Sequence, residues 1–186
     1  VEAYKEVLAL APLAPDAPRI QAKIVLAWSR DRQFDREAKE RELLVKTYSE
    51  GTAWWERNRG DPELLATVRE LAEKSLLRAA SFHHAQAQTF KAEGKLEAAV
   101  SEYRVAARAY GDYLVRFPHS KQAYELSYNY ADCLYNALEF DGAARVYAAV
   151  RDDPSGSKFE SEAALSAVIS WEGEVTRLQR QGELEE

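Results

Sequence analysis

The stretch AYELSYNYADCLYNALEFDGAARVYAAV, Ala123–Val150, decides how this chain folds. It carries five tyrosines and the chain's single cysteine, Cys133. Apolar and small residues return in it at three- and four-residue steps, the period of an α-helix with one buried stripe. The strict alternation of a half-buried strand is absent. The spacing predicts two helices, with Phe140 just after the turn between them. On the first helix, Tyr128, Asp132 and Tyr135 stand at i, i+4 and i+7 and share one face. Tyr130, Ala131 and Leu134 belong to another face, which reads as packing together with Ala143 and Tyr147, with Phe140 closing the turn and Cys133 beside them.

Working outward, the spacings recur. Ala131 precedes Ala143 by twelve residues, Tyr147 follows four later, and Pro154 closes the unit. Upstream, Ala87, Leu96, Ala99, Tyr103 and Pro118 repeat the order, and Tyr4, Val7 and Pro12 give its closing part. These spacings resemble the tetratricopeptide repeat, a pair of helices with a small residue in the first helix, an alanine and an aromatic in the second, and a terminal proline. The resemblance implies an all-α solenoid of antiparallel helix pairs wound into a right-handed superhelix. It departs from the family at the early tryptophan position, held here by His83 and Ser127. The step from Tyr103 to Pro118 is also seven residues longer than that from Tyr4 to Pro12, about two helical turns. LEAAVSEYRVAARAYGDYLVRF therefore reads as one extended helix. Lengthened units of this kind look like repeat proteins of the bacterial envelope, such as the scaffold lipoprotein of outer-membrane β-barrel assembly or the gliding-motility repeat proteins of myxobacteria. That likeness implies a periplasmic or outer-membrane-associated setting over a cytoplasmic one.

A single helical array over residues 1–186 follows. Residues 2–11 read as the last helix of a preceding repeat, which makes the chain a piece of something longer. Residues 16–48 form a degenerate repeat, with Asp16 as cap, Pro18 in the first helical turn, and a charged second helix from Phe34 to Tyr48. Residues 49–61 read as an inserted loop. Asp61 and Pro62 open an uninterrupted helix to about Lys91, within an extended repeat at 62–118. A repeat at 119–154 and a closing helix at 157–181 complete the map.

Composition narrows the function. The chain is 46% hydrophobic and 30% charged, with eight glycines and six prolines, which is the balance of a folded helical protein. A net charge of -6 lacks the basic face of a nucleic-acid binder. No apolar run reaches the roughly 18 residues of a membrane span, so this segment does not insert in a membrane. One cysteine makes neither an internal disulfide nor a metal framework.

Chemistry finds little support. His83 and His84 diverge by about 100° on a helix, and the i+4 positions, Ala87 and Gln88, are not metal ligands, so neither metal nor cofactor is expected. Cys133 as a nucleophile needs a base. Its neighbours are Asp132 and Leu134, and His119 lies more than roughly 15 Å away by helical rise. Carboxylate pairs such as Glu37 with Glu40 and Glu183 with Glu185 read as solvated faces. In the register that the family resemblance implies, the concave face is lined by His84, Gln88 and Lys91, then by Glu125, Tyr128, Asn129, Asp132, Tyr135 and Asn136. Tyrosine and asparagine together suit protein recognition. Of Trp54 and Trp55, one is expected to seal a joint, and the other is a candidate exposed anchor. The reading is a non-enzymatic scaffold, monomeric or weakly self-associating, that docks a protein partner in the groove or on the Trp-bearing edge. Two alternatives remain open: a structural spacer that self-associates through Phe159, Trp171 and the last helix, and a small enzyme built on Cys133 or His84.

Overall fold

A computed structural model describes residues 1–183. Glu185, one half of the second carboxylate pair, lies outside the described residues. Among the described residues there are nine helices and no strand: α1 (Glu2–Leu10), α2 (Ala17–Arg30), α3 (Phe34–Tyr48), α4 (Ala53–Asn58), α5 (Pro62–Ala92), α6 (Leu96–Arg116), α7 (Ala123–Asn136), α8 (Phe140–Asp152) and α9 (Glu160–Gln181). The extended α6 is continuous, as its length predicts. Asp61 caps α5, accepting a hydrogen bond from the Leu64 N–H at 3.0 Å. Asp16 stands at the start of α2, but its side chain makes no capping bond. The segment 49–61 is not wholly loop, because it holds α4, whose first turn is capped by Thr52 Oγ1 accepting from the Trp55 N–H at 3.3 Å.

The chain divides into two compact units, Val1–Ala79 and the part from Ala80 onward, with the division inside α5. In the first unit, α1 rests on α2, α2 on α3, and α3 touches α4. Its core is built on Ile24, Leu44, Tyr48, Trp54 and Val68. In the second unit, α6 packs on α7, α7 on α8 and α8 on α9. Its core combines small residues (Ala87, Ala99, Ala131, Ala143) with the large rings of Tyr103, Tyr110, Tyr113 and Tyr147. Small side chains let helix axes approach, and the rings fill the spaces left beside them. Gly111 shows how tight this is: a Cβ there would stand 3.3 Å from the Tyr130 ring.

Three turns share one geometry. Each has a residue in the left-handed region, Arg32 (φ 56°), Gly94 (φ 74°) and Leu138 (φ 65°). After each, the next backbone N–H reaches back over the turn: Gln33 to the Trp28 carbonyl at 3.0 Å, Lys95 to Phe90 at 2.9 Å, Glu139 to Leu134 at 2.9 Å. This is the Schellman-type closure that satisfies carbonyls at a helix end. Each turn leads directly into a helix that starts on an apolar residue, Phe34, Leu96 or Phe140. The turns therefore align three helix pairs. Seven residues before the left-handed residue come Val25, Ala87 and Ala131, all buried.

Only one of these positions is glycine, and a side chain in the left-handed region costs about 1–2 kcal/mol. Gly94→Ala is expected to lower unfolding stability by about 1 kcal/mol. Leu138→Gly, at an exposed side chain, is expected to show no loss or a small gain, since strain relief offsets the added freedom of the unfolded chain. Urea unfolding of the two variants measures the contrast.

Candidate functional site

The shared turn sets a register that can be followed onto the open face of the second unit. Ten, six and three residues before the left-handed residue stand His84, Gln88 and Lys91 on α5, and Tyr128, Asp132 and Tyr135 on α7. Five sequence-selected polar residues meet there. His84 Nε2 lies 3.4 Å from Asp132 Oδ2 and 3.2 Å from Gln88 Nε2. Lys91 Nζ donates to Asn136 Oδ1 at 2.7 Å, and Asn136 Nδ2 donates to the Asp132 carbonyl at 2.9 Å. The result is a polar lattice that ties α5 to α7. His83 turns away, with Nδ1 2.7 Å from Glu102 Oε2 on α6.

Beneath the lattice lies a tyrosine floor. His84 meets the rings of Tyr103 and Tyr110 edge-on, each with centroids 5.9 Å apart, and its Nδ1 lies 3.4 Å from the Tyr110 hydroxyl. Burial raises the phenol pKa of Tyr103, Tyr128 and Tyr147, and the Asp132 carboxylate adds to the rise in each. Tyr110 is pushed up to about 12, chiefly by burial. Asp132 is thus the negative centre of a face whose neighbours are phenols held neutral.

The other selected residues divide. Tyr128 is half-buried: its ring stacks on Phe159 at 4.3 Å and meets Tyr147 edge-on at 5.5 Å. Phe159 also stacks on Tyr124 at 5.8 Å, so its ring is engaged within its own unit. Tyr135 meets Phe140 edge-on at 5.4 Å. Glu125 pairs with Lys158 at 2.7 Å, and Asn129 lies half-buried one turn further along α7. The exposed-anchor role for Trp54 or Trp55 fails, because both are buried. Trp54 Nε1 donates to the Ala14 carbonyl at 2.7 Å and the ring meets Tyr48 edge-on at 5.7 Å. Trp55 points elsewhere, toward the Arg69 guanidinium at 5.8 Å. Adjacent positions on α4 diverge by about 100°, yet both rings are buried.

Cys133 is fully buried, and desolvation followed by the Asp132 charge pushes its thiol up, away from the thiolate that a nucleophile needs. Among the described residues no three His, Cys, Asp or Glu side chains converge as metal ligands, and no helix is long and apolar enough to cross a membrane. No protein-family model matches the chain, and no curated protein gives a significant match to it.

The buried phenols make stability sensitive to alkali. Folded Tyr110 keeps its proton to about pH 12, while an unperturbed tyrosine loses it near 10. The folded state therefore holds more protons across this window, and stability, intact below pH 10, falls as pH rises from about 10 to 12. Denaturant midpoints measured over this range are expected to decline, and Tyr110→Phe to flatten the decline.

Proposed function

We propose that the protein is a non-enzymatic scaffold of tetratricopeptide type, its helix pairs antiparallel and stacked, which docks a protein segment along the face of α5 and α7. The observation that carries this reading is the lattice of His84, Gln88, Lys91, Asp132 and Asn136 over buried tyrosines. It offers donors and acceptors on rigid helices above an aromatic base, which suits recognition of a polypeptide at modest entropic cost. The three equivalent turns support the repeat character, since one local geometry fixes the register of each pair. The buried thiol of Cys133 and the absence, among the described residues, of a converging ligand set give catalysis no comparable support. A place in a bacterial envelope complex belongs to the same proposal and rests on the lengthened α5–α6 pair alone. Affinity capture from the source organism tests the docking reading. Partners held by the unaltered chain are expected to be lost, at least about tenfold, from a Gln88→Ala, Asn136→Ala variant of unchanged melting temperature. Retention of every partner would remove this face as the docking site.

A second reading, self-association, is favoured by α9. Leu165, Val168, Ile169, Trp171 and Val175 are all exposed there, within an arc of about 160°, and such an apolar strip invites a covering surface. Phe159 does not contribute, since its ring stacks within the unit. Sedimentation from micromolar to near-millimolar concentration is expected to show reversible association that Val168→Lys, Trp171→Ala abolishes. A strict monomer throughout would exclude it.

A further inference from the structure

The register that builds the polar face of the second unit builds something different in the first. Ten, six and three residues before Arg32 stand Ala22, Leu26 and Ser29 on α2, and these line a cavity of about 130 Å³. Nine residues after the left-handed residue, the other two pairs place the buried rings of Tyr103 and Tyr147. Here the position belongs to Arg41. Five residues after, Ala99 and Ala143 are replaced by Glu37. Arg41 folds onto Glu37, with Nε and Nη2 donating to Oε1 at 2.9 and 2.7 Å. The guanidinium is drawn along its own helix, and the volume that a tyrosine ring takes elsewhere stays open.

The walls are apolar: Val25, Leu44 and Leu71. At the α5 side stands Ser75, 1% exposed, whose Oγ makes no hydrogen bond within the protein. A helical hydroxyl ordinarily returns its proton to the carbonyl four residues back, as Ser170 does to Ser166 at 2.6 Å. Ser75 does not, which leaves a buried donor at the wall of an apolar cavity, an arrangement that favours an occupant able to accept from it.

We propose that this cavity binds a small neutral carbonyl compound, an amide, ketone or ester with an apolar body. Size, polarity and charge each limit the choice. A cavity of about 150 Å³ accommodates the six carbons of benzene, so this one suits about five or six heavy atoms. Arg41 only donates, and Ser75 needs an acceptor, so a pure hydrocarbon leaves the buried hydroxyl unsatisfied. A carboxylate would accept from both. Glu37 already neutralises Arg41, however, and a second negative charge beside it would be desolvated without a counter-charge. The polar end is therefore a neutral acceptor. This site is separate from the face of α5 and α7 and does not depend on the docking reading.

Titration of the ¹⁵N-labelled full chain with butan-2-one, butanamide and butyrate tests the assignment. The two neutral compounds are expected to shift the amides of Ser29, Leu44 and Ser75 saturably, and butyrate to bind at least about tenfold more weakly. Ser75→Ala is expected to weaken the ketone about tenfold with no loss of melting temperature, since it removes an unsatisfied hydroxyl. Ala22→Leu, which fills the cavity from α2, is expected to abolish the shifts in a folded chain. Absence of saturable binding by the neutral compounds, equal binding of butyrate, or an unchanged Ser75→Ala affinity would each overturn the proposal.

Discussion

A backbone hydrogen bond that spans a left-handed residue underlies much of this structure. The bond from Gln33 to Trp28, from Lys95 to Phe90 and from Glu139 to Leu134 fixes where one helix stops and how the next begins. Once it is formed, the side chains before and after it have no freedom of register, because a helix advances about 100° per residue. Whether a given position is packed or open is settled by its distance from that turn. The chemistry at the position is then free to vary, and it does: a polar lattice on α5 and α7, an apolar recess on α2. The strain of a non-glycine residue at Arg32 and Leu138 is tolerated because the packing of the flanking helices over-determines the turn.

Asp132 shows how a single charge organises the second unit. It stands on α7 at the junction of polar lattice and tyrosine floor, and it raises the cost of ionising Tyr103, Tyr128, Tyr147 and Cys133 together. These three phenols and the thiol are held protonated by burial and by this neighbour.

Much of this was legible in the residues, and the gaps have identifiable causes. The bounds of α3, α5 and α6 follow from their periodicity, from Asp61–Pro62 and from the unbroken run to Arg116. The family resemblance implies one face for His84, Lys91, Asp132 and Asn136, and the structure brings them together there. α4 was hidden because six residues are too few to show a period. The burial of both tryptophans was hidden because adjacent helical positions diverge, and Ala14 and Tyr48, which cover Trp54, lie elsewhere along the chain. The engagement of Tyr128 was hidden because its stacking partner, Phe159, lies at the entry to α9, far along the chain and outside any helical pattern. The equivalence of the turns was hidden because Arg, Gly and Leu occupy the same conformation, and composition is silent where packing overrides propensity. The replacement of an alanine–tyrosine pair by Glu37 and Arg41 becomes visible only after that equivalence is drawn.

The full burial of Cys133 has a bearing on oxidation. The chain contains no methionine and this one thiol, and the thiol is sealed from solvent in the folded state. Native protein therefore presents no sulfur to peroxide, disulfide or alkylating agent, and the thiol enters the sulfenic-to-sulfonic series only when the second unit opens. A cysteine installed at an exposed site such as Ala149 would be the single reactive sulfur of the molecule. The unmodified thiol of Cys133 would then serve as an internal clock of unfolding.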